Sequence, residues 1–247
     1  MGGHAAGEVA SEMTATSILK TLEKHQKTFL SLKTAEDSVK RKRIVELIKI
    51  AVDLANKNVY KLSMEDPSKR GMGTTLVMAI VTEVGTFIAH VGDSRAYLVR
   101  KGNVQQLTED HSLVNDLVRS GVLTRDKAQG HPQANVITKA VGIQEVVTPD
   151  VLFYETMEGD TIFLCSDGLH DYLKKEDIQS IRKKTPIKSL ASEFVKFANF
   201  KGGKDNITCI CVQFGDLEAP PAHPSNITVD TKIQTLKKIP LFAGLNY

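Results

Sequence analysis

The chain has 247 residues, 41% hydrophobic and 25% charged, the proportions of a globular protein with one large domain, or one domain and a small appendage. Its 32 Lys and Arg against 29 Asp and Glu leave a net charge of +3, spread along the chain. No basic run is interleaved with aromatics, aromatics are 6% of residues and Trp is absent, so nucleic acid is not an expected partner. The three cysteines, Cys165, Cys209 and Cys211, form no CxxC pair, which argues against a disulfide framework or a zinc site. No segment approaches the roughly 20 apolar residues of a membrane span, and no signal-peptide pattern opens the chain; the cytoplasm is the expected location, without a membrane partner.

Residues 1–8 read as a glycine-rich leader, followed by a helical pattern through Val9, Met13, Thr16, Leu19 and Leu22. The cleanest helix is 39–60, where Ile44, Leu47, Ile48, Ala51, Val52, Ala55 and Val59 make one apolar stripe. After a loop over 63–73 the period becomes that of strands. Residues 74–84 and 86–91 form a hairpin across Gly85, and 96–100 and 104–107 a second across Lys101-Gly102-Asn103. Glu109-Asp110-His111 opens a helix that ends at Ser120-Gly121. A short helix over 125–129 and a surface flap over 130–142 come next. Residues 147–156 form a strand, 157–160 a turn, and Thr161 to Cys165 a strand buried on both faces. Thr185-Pro186 starts a helix with Pro at its first position, ended by Gly202-Gly203, and 206–214 is the last strand. Consecutive hairpins without βαβ alternation predict an α+β layered sandwich of six or seven antiparallel strands. Residues 215–230 read as a Pro-rich linker.

Three carboxylates flank strands: Asp93 in Gly92-Asp93-Ser94-Arg95, Asp167 in Ser166-Asp167-Gly168, and Asp205 in Lys204-Asp205-Asn206. Singly, each reads more readily as a turn or helix cap. Together, at strand ends that antiparallel pairing brings to one rim, they read as a hard-cation site, since clustered carboxylates repel unless a cation holds them. Two Mg²⁺ or Mn²⁺ ions at such a site can activate water for attack on a phosphate ester. His111 reads as a ligand or acid, or in a capping or supporting role. Arg95 reads as a phosphate binder or half of a buried ion pair. Ser166 lacks the nucleophile-elbow pattern. Gly71-Met72-Gly73-Thr74-Thr75 looks like a phosphate cradle but opens a strand instead of a helix.

The ordered series Met1-Gly2-Gly3-His4, Gly71-Met72-Gly73-Thr74-Thr75, Gly92-Asp93-Ser94-Arg95, 108–114, His131-Pro132 with Asn135-Val136-Ile137-Thr138, Ser166-Asp167-Gly168 and Asp205-Asn206 resembles the bacterial metal-dependent serine/threonine protein phosphatases of the PPM family, or type 2C. The resemblance spans nearly all of 1–214. It implies a β-sandwich flanked by helix pairs, a centre of two or three Mg²⁺ or Mn²⁺ ions, and attack of a metal-bound hydroxide on phosphoserine or phosphothreonine in proteins. It implies Asp167 and Asp205 as ligands of the binuclear centre and Asp93, with Asp167, at an additional metal. It also implies His4 as a candidate acid near the centre, and a flap over about 110–145 that carries His111, His131 and Asn135 on the substrate side.

The family's stretch reads Asp-Gly-Met-Gly-Gly-His, so its bridging Asp and metal-coordinating Gly are expected immediately before Met1, with an earlier acidic pair and the phosphate-binding arginine further upstream, and the first strands of the sandwich are expected to be missing as well. Residues 231–247, with Ile239-Pro240-Leu241-Phe242-Ala243-Gly244-Leu245, resemble the opening of a cyclic-nucleotide-binding domain. The expected function is a protein serine/threonine phosphatase acting opposite a serine/threonine kinase. The rival is a degenerate phosphatase fold that binds phosphoproteins or regulates a linked sensor without catalysis. Missing strands would also leave unpaired edges and a poorly soluble protein.

Overall fold

The computed structural model describes residues 6–128 and 130–215. Two antiparallel sheets lie face to face. One is ordered β1-β2-β5 (Leu76–Thr82, Gly85–Val91, Asp150–Tyr154) and the other β4-β3-β6-β7 (Asn103–Gln106, Arg95–Arg100, Thr161–Cys165, Cys209–Gln213). The helices are α1 (Gly7–Glu23), α2 (Gln26–Leu30), α3 (Ser38–Glu65), α4 (Leu113–Arg119), α5 (Arg125–Ala128), α6 (Asp167–His170), α7 (Lys175–Lys184) and α8 (Ile187–Phe200). None of the described helices is long and apolar enough to cross a membrane.

Alternation of side chains along each strand builds the layers. On β2, Phe87 and Ala89 pack under Ile44 and Ile48 of α3, while Ile88 points the other way and meets Ala96, Leu98, Ile162 and Leu164 between the sheets. On the second sheet Tyr97, Val99, Phe163 and Cys165 face Leu190, Phe194 and Ala198 of α8. The order is helix, sheet, sheet, helix, the expected α+β sandwich.

Several local readings shift, each for a physical reason. Helix α3 runs to Glu65, five residues past the expected end, and stops where Pro67 opens a 3-10 turn. Asp37 starts it by accepting from the Lys40 amide at 3.0 Å. The first hairpin turns at Glu83-Val84, so Gly85 lies inside β2. A Cβ there would collide with the Phe153 ring and the Tyr154 carbonyl on β5; the glycine serves close approach instead of the turn. The strand expected over 147–156 shortens to β5, and the last strand begins at Cys209. Thr185 closes α7, a helix absent from the sequence reading, and Pro186 is the N-cap of α8 without a side-chain hydrogen bond.

The turn at 157–160 forms as expected and is held by a buried carboxylate. Asp160, 1% exposed, accepts from Arg100 Nε at 2.8 Å, from Arg100 Nη2 at 2.6 Å and from the Met157 amide at 2.8 Å. Strands β1 and β7 are outer strands of their sheets. Val81 and Ile210 on them are exposed.

Candidate metal centre

Strand register decides where the aspartates go. In the β3–β6 pair Arg95 stands opposite Cys165. Continued two residues outward, that antiparallel register sets Asp93 opposite Asp167. In the β6–β7 pair Cys165 stands opposite Cys209, so the turn carrying Asp205 emerges at the same rim. Ser166 ties the two turns together. Its amide donates to the Thr208 carbonyl at 3.2 Å, its Oγ accepts from the Thr208 amide at 3.0 Å, and its hydroxyl donates to the Asn206 carbonyl at 3.3 Å. The hydroxyl is thus a brace and not a nucleophile. Gly168 closes the gap: a Cβ there would collide with the Asn206 carbonyl and lie 3.4 Å from Asp205 Cβ.

Ser166, not Asp167, is the N-cap of α6, so capping does not account for the Asp167 carboxylate. One Asp167 oxygen accepts from the Gly168 amide at 2.8 Å, and one Asp205 oxygen from the Asn206 amide at 2.6 Å. The second oxygen of each accepts no hydrogen bond from the described residues. Asp93 is half-buried, and burial together with the charge of Asp167 pushes its carboxyl above the usual range. Unfavourable charge in a cluster of oxygen donors is what a hard divalent cation relieves.

The other predicted residues fall elsewhere. Asp110 and His111 do not open a helix; Ser112 caps α4, accepting from the Asn115 amide at 3.3 Å. Asp110 instead takes Arg95 in a bidentate pair, with Nη2 to Oδ2 at 2.6 Å and Nε at 2.9 and 3.0 Å. That pair resolves the reading of Arg95: its guanidinium is committed to Asp110, and the pairing raises its affinity for the proton despite burial. The Gly71–Thr75 stretch is no phosphate cradle. Thr74 bridges Val141, and Gly73 sits where a Cβ would meet Ile143 at 2.7 Å. His131 turns back on its own loop, its Nδ1 accepting from the Gln133 amide at 3.2 Å, and Asn135 is exposed nearby. Neither makes a hydrogen bond to the aspartate rim among the described residues. His4 lies outside the described residues.

Among the described residues, the potential ligands whose donor atoms gather within 4.8 Å are His90, His111 and Asp150, not the three aspartates. Hydrogen bonding assigns the tautomers. His90 Nε2 donates to the Glu109 carbonyl at 2.8 Å, leaving its buried Nδ1 without a partner. His111 Nδ1 accepts from the Gly92 amide at 3.0 Å, so the Nε2 proton faces Asp150 Oδ2 at 3.3 Å, and the Lys139 ammonium, 3.4 Å from that protonated nitrogen, finds no lone pair there. Lys139 adds an ammonium 3.6 Å from Asp150. Burial, with His90 and Lys139 nearby, lowers the His111 pKa. Burial works to raise Asp150, yet the His111 contact and the Lys139 charge hold it below the usual range. With one imidazole committed at both nitrogens and a cation already beside the carboxylate, the cluster suits a hydrogen-bond network better than a metal.

Residues 2–117 match the protein phosphatase 2C family. The serine/threonine phosphatase stp of Listeria monocytogenes serotype 4b is 38% identical over 214 residues, covering 86% of this chain and 81% of the relative. The chain belongs to the protein phosphatase 2C family. The solved structure of the serine/threonine phosphatase Stp1 from Staphylococcus aureus superposes with a TM-score of 0.74 at 35% identity, covering 87% of this chain and 81% of that one. The catalytic domain of the serine threonine protein phosphatase PstP, in complex with 2 manganese ions, superposes with a TM-score of 0.69 at 30% identity, covering 85% and 83%.

Within this phosphatase 2C fold, sequence reading passed over His90, Asp150 and His170. His170 is buried and its Nε2 donates to the Asp93 carbonyl at 3.0 Å. A signal existed for His170, three residues past Asp167 at helical spacing. None existed for His90 and Asp150, which meet only through the β2–β5 register.

Proposed function

We propose that the chain is a metal-dependent protein serine/threonine phosphatase, with Asp167, Asp205 and Asp93 holding Mg²⁺ or Mn²⁺ at the β3–β6–β7 rim. Phosphoserine and phosphothreonine side chains of proteins are its substrates. The observation that carries the reading is the register that sets Asp93 against Asp167 beside the Asp205 turn. The names of the relatives and the manganese in the PstP structure support it. When bound, the ions supply a water of lowered pKa and positive charge against the phosphate oxygens. The chain's own contribution is placement. Ser166 and Gly168 lock the Asp167 and Asp205 turns together, and His170 grips the Asp93 carbonyl.

The same reading takes 1–214 as the phosphatase domain, with the segment of about 110–145 as a flap that presents His131 and Asn135 to the phosphoprotein; His111, expected beside them, is instead buried and bonded to Gly92. A serine/threonine kinase is the expected source of that phosphoprotein. The 215–230 linker from residue 216 on, and the cyclic-nucleotide-binding reading of 231–247, lie outside the described residues.

The test is hydrolysis of a phosphothreonine peptide with Mn²⁺, on the chain itself and on the chain extended by an Asp-Gly pair before Met1. Turnover in either protein that vanishes with EDTA supports the assignment. Absence of turnover in both, with Mn²⁺ bound no better than millimolar, favours the non-catalytic phosphoprotein-binding reading. A narrower check bears on the joint between the turns. Gly168→Ala should weaken Mn²⁺ binding about tenfold in calorimetry by forcing Asp205 away, the scale of other outer-shell changes at metal sites. An unchanged titration would mean that the Asp205 turn takes no part in the site.

A further inference from the structure

We propose that His111 is a positioning residue for the Asp93 carboxylate, acting through the Gly92 amide. The proposal rests on the reading of Asp93 as a metal ligand and adds the device that aims it. The Gly92–Asp93 turn leaves β2 with Gly92 at φ +99°, and a Cβ on Gly92 would meet Thr75 Cγ2 at 2.5 Å. Only glycine fits, and a glycine turn is free to wander unless its peptide groups are held.

His111 holds it twice. Its own amide donates to the Gly92 carbonyl at 3.0 Å, and its Nδ1 accepts from the Gly92 amide at 3.0 Å. Two bonds to one residue fix the direction of both flanking peptides. The ring cannot swing away, because its far nitrogen faces Asp150 Oδ2 at 3.3 Å and its face stacks on His90 with centroids 4.7 Å apart and planes 12° apart. Thr138 reinforces the position by donating its amide to the His111 carbonyl at 2.8 Å. From the opposite side, His170 Nε2 donates to the Asp93 carbonyl at 3.0 Å. The turn is therefore gripped by two buried imidazoles, one before the carboxylate-bearing residue and one on it.

The choice of imidazole has a consequence that other side chains reveal. Asparagine can present its Oδ1 where Nδ1 sits and accept from Gly92. Leucine fills the volume and accepts nothing. Outer-shell partners of this kind change metal affinity by about 10–100-fold when removed. His111→Leu should lose that much Mn²⁺ affinity, while His111→Asn stays within about threefold of the parent chain by the same measure.

The experiment is a Mn²⁺ titration of the full chain and of His111→Leu, His111→Asn and Asp93→Asn, with ¹⁵N NMR of the parent chain. The expected spectrum shows a scalar coupling across the hydrogen bond between the Gly92 nitrogen and His111 Nδ1, with His111 as the Nε2–H tautomer. Weakened binding in His111→Leu with rescue in His111→Asn supports the proposal. If Asp93→Asn weakens Mn²⁺ binding and folded His111→Leu does not, the positioning role is overturned and the Asp93 reading stands. If Asp93→Asn binds as the parent does, the Asp93 reading itself is overturned. Should His111→Leu fail to fold, a missing coupling or the opposite tautomer in the parent chain overturns the proposal without it.

Discussion

Exchange of Asp167 for asparagine is expected to abolish Mn²⁺-dependent peptide hydrolysis and, in EDTA, to raise the melting temperature. The loss of activity should exceed about 10³-fold, since charge stabilisation by bound metal is worth several kcal/mol at about 1.4 kcal/mol per decade. The gain in stability follows from the same carboxylate seen without its cation. Burial first, and then the charge of Asp167, push the Asp93 carboxyl above its ordinary value of 3.8. An ionised Asp93 therefore costs folding energy above its raised pKa, and the cost is gone below 3.8. Metal-free protein should gain stability from this group as pH falls through that window, and Mn²⁺ affinity should fall over the same window as protons displace the ion. Asp167→Asn narrows the window by removing the larger of the two charges, Asp167 and Asp110, that add to burial. Differential scanning calorimetry in EDTA across acidic and neutral pH checks the sign. A variant that melts lower than the parent chain at neutral pH in EDTA would show that Asp167 supports the fold and is not a strained ligand.

How much of this was readable before the fold is plain from single elements. The run Thr161-Ile162-Phe163-Leu164-Cys165 declares itself, because a strand between two layers must be apolar on both faces. The three aspartates were readable as candidates because each stands at the end of such a run. That antiparallel pairing could carry their turns to one rim was readable too; the register itself was not, since Arg95 pairs with Cys165 across 70 positions and no local pattern encodes it. Helix α7 escaped because Ile178 is its one buried residue and Lys and Arg crowd its end; its start depends on the Asp177 carboxylate accepting from the Lys174 amide at 3.0 Å. Asp110-His111 looked like a helix start because Asp commonly caps helices. The chain spends Asp110 on Arg95 and His111 on Gly92, partners 15 and 19 residues away, and leaves the cap to Ser112. Polar residues whose partners are distant in sequence carry no periodic signature, and the supporting shell of this site is made of them.

Asn56 is the clearest case, and Asn56→Ala should be among the most damaging single changes outside the rim. It sits on the apolar stripe of α3, fully buried beside Val52, Ala55 and Val59. Its Oδ1 accepts from the Gly142 amide at 2.7 Å, and its Nδ2 donates to the carbonyls of Gln144 and Glu145, each at 3.0 Å. Gly142 has φ +89°, and a Cβ on it would collide with Val59 Cγ1, so the backbone lies hard against the helix. Alanine orphans the buried Gly142 amide at about 1–3 kcal/mol and forfeits two bonds to carbonyls of exposed residues at about 0.5–1.5 kcal/mol each. A total near 3 kcal/mol corresponds to a drop in melting temperature of roughly 6–12 °C for a chain of this size. The effect should reach the segment before Gly142. The segment that Asn56 anchors also pairs Val141 with Thr74 and donates the Thr138 amide to the His111 carbonyl at 2.8 Å. Hydrogen exchange should therefore speed up at Gly142 and Thr138 as well as fall in global protection. A melting temperature unchanged by Asn56→Ala, with the Gly142 amide still slow to exchange, would show that this anchor is not what fastens residues 142–145 to α3.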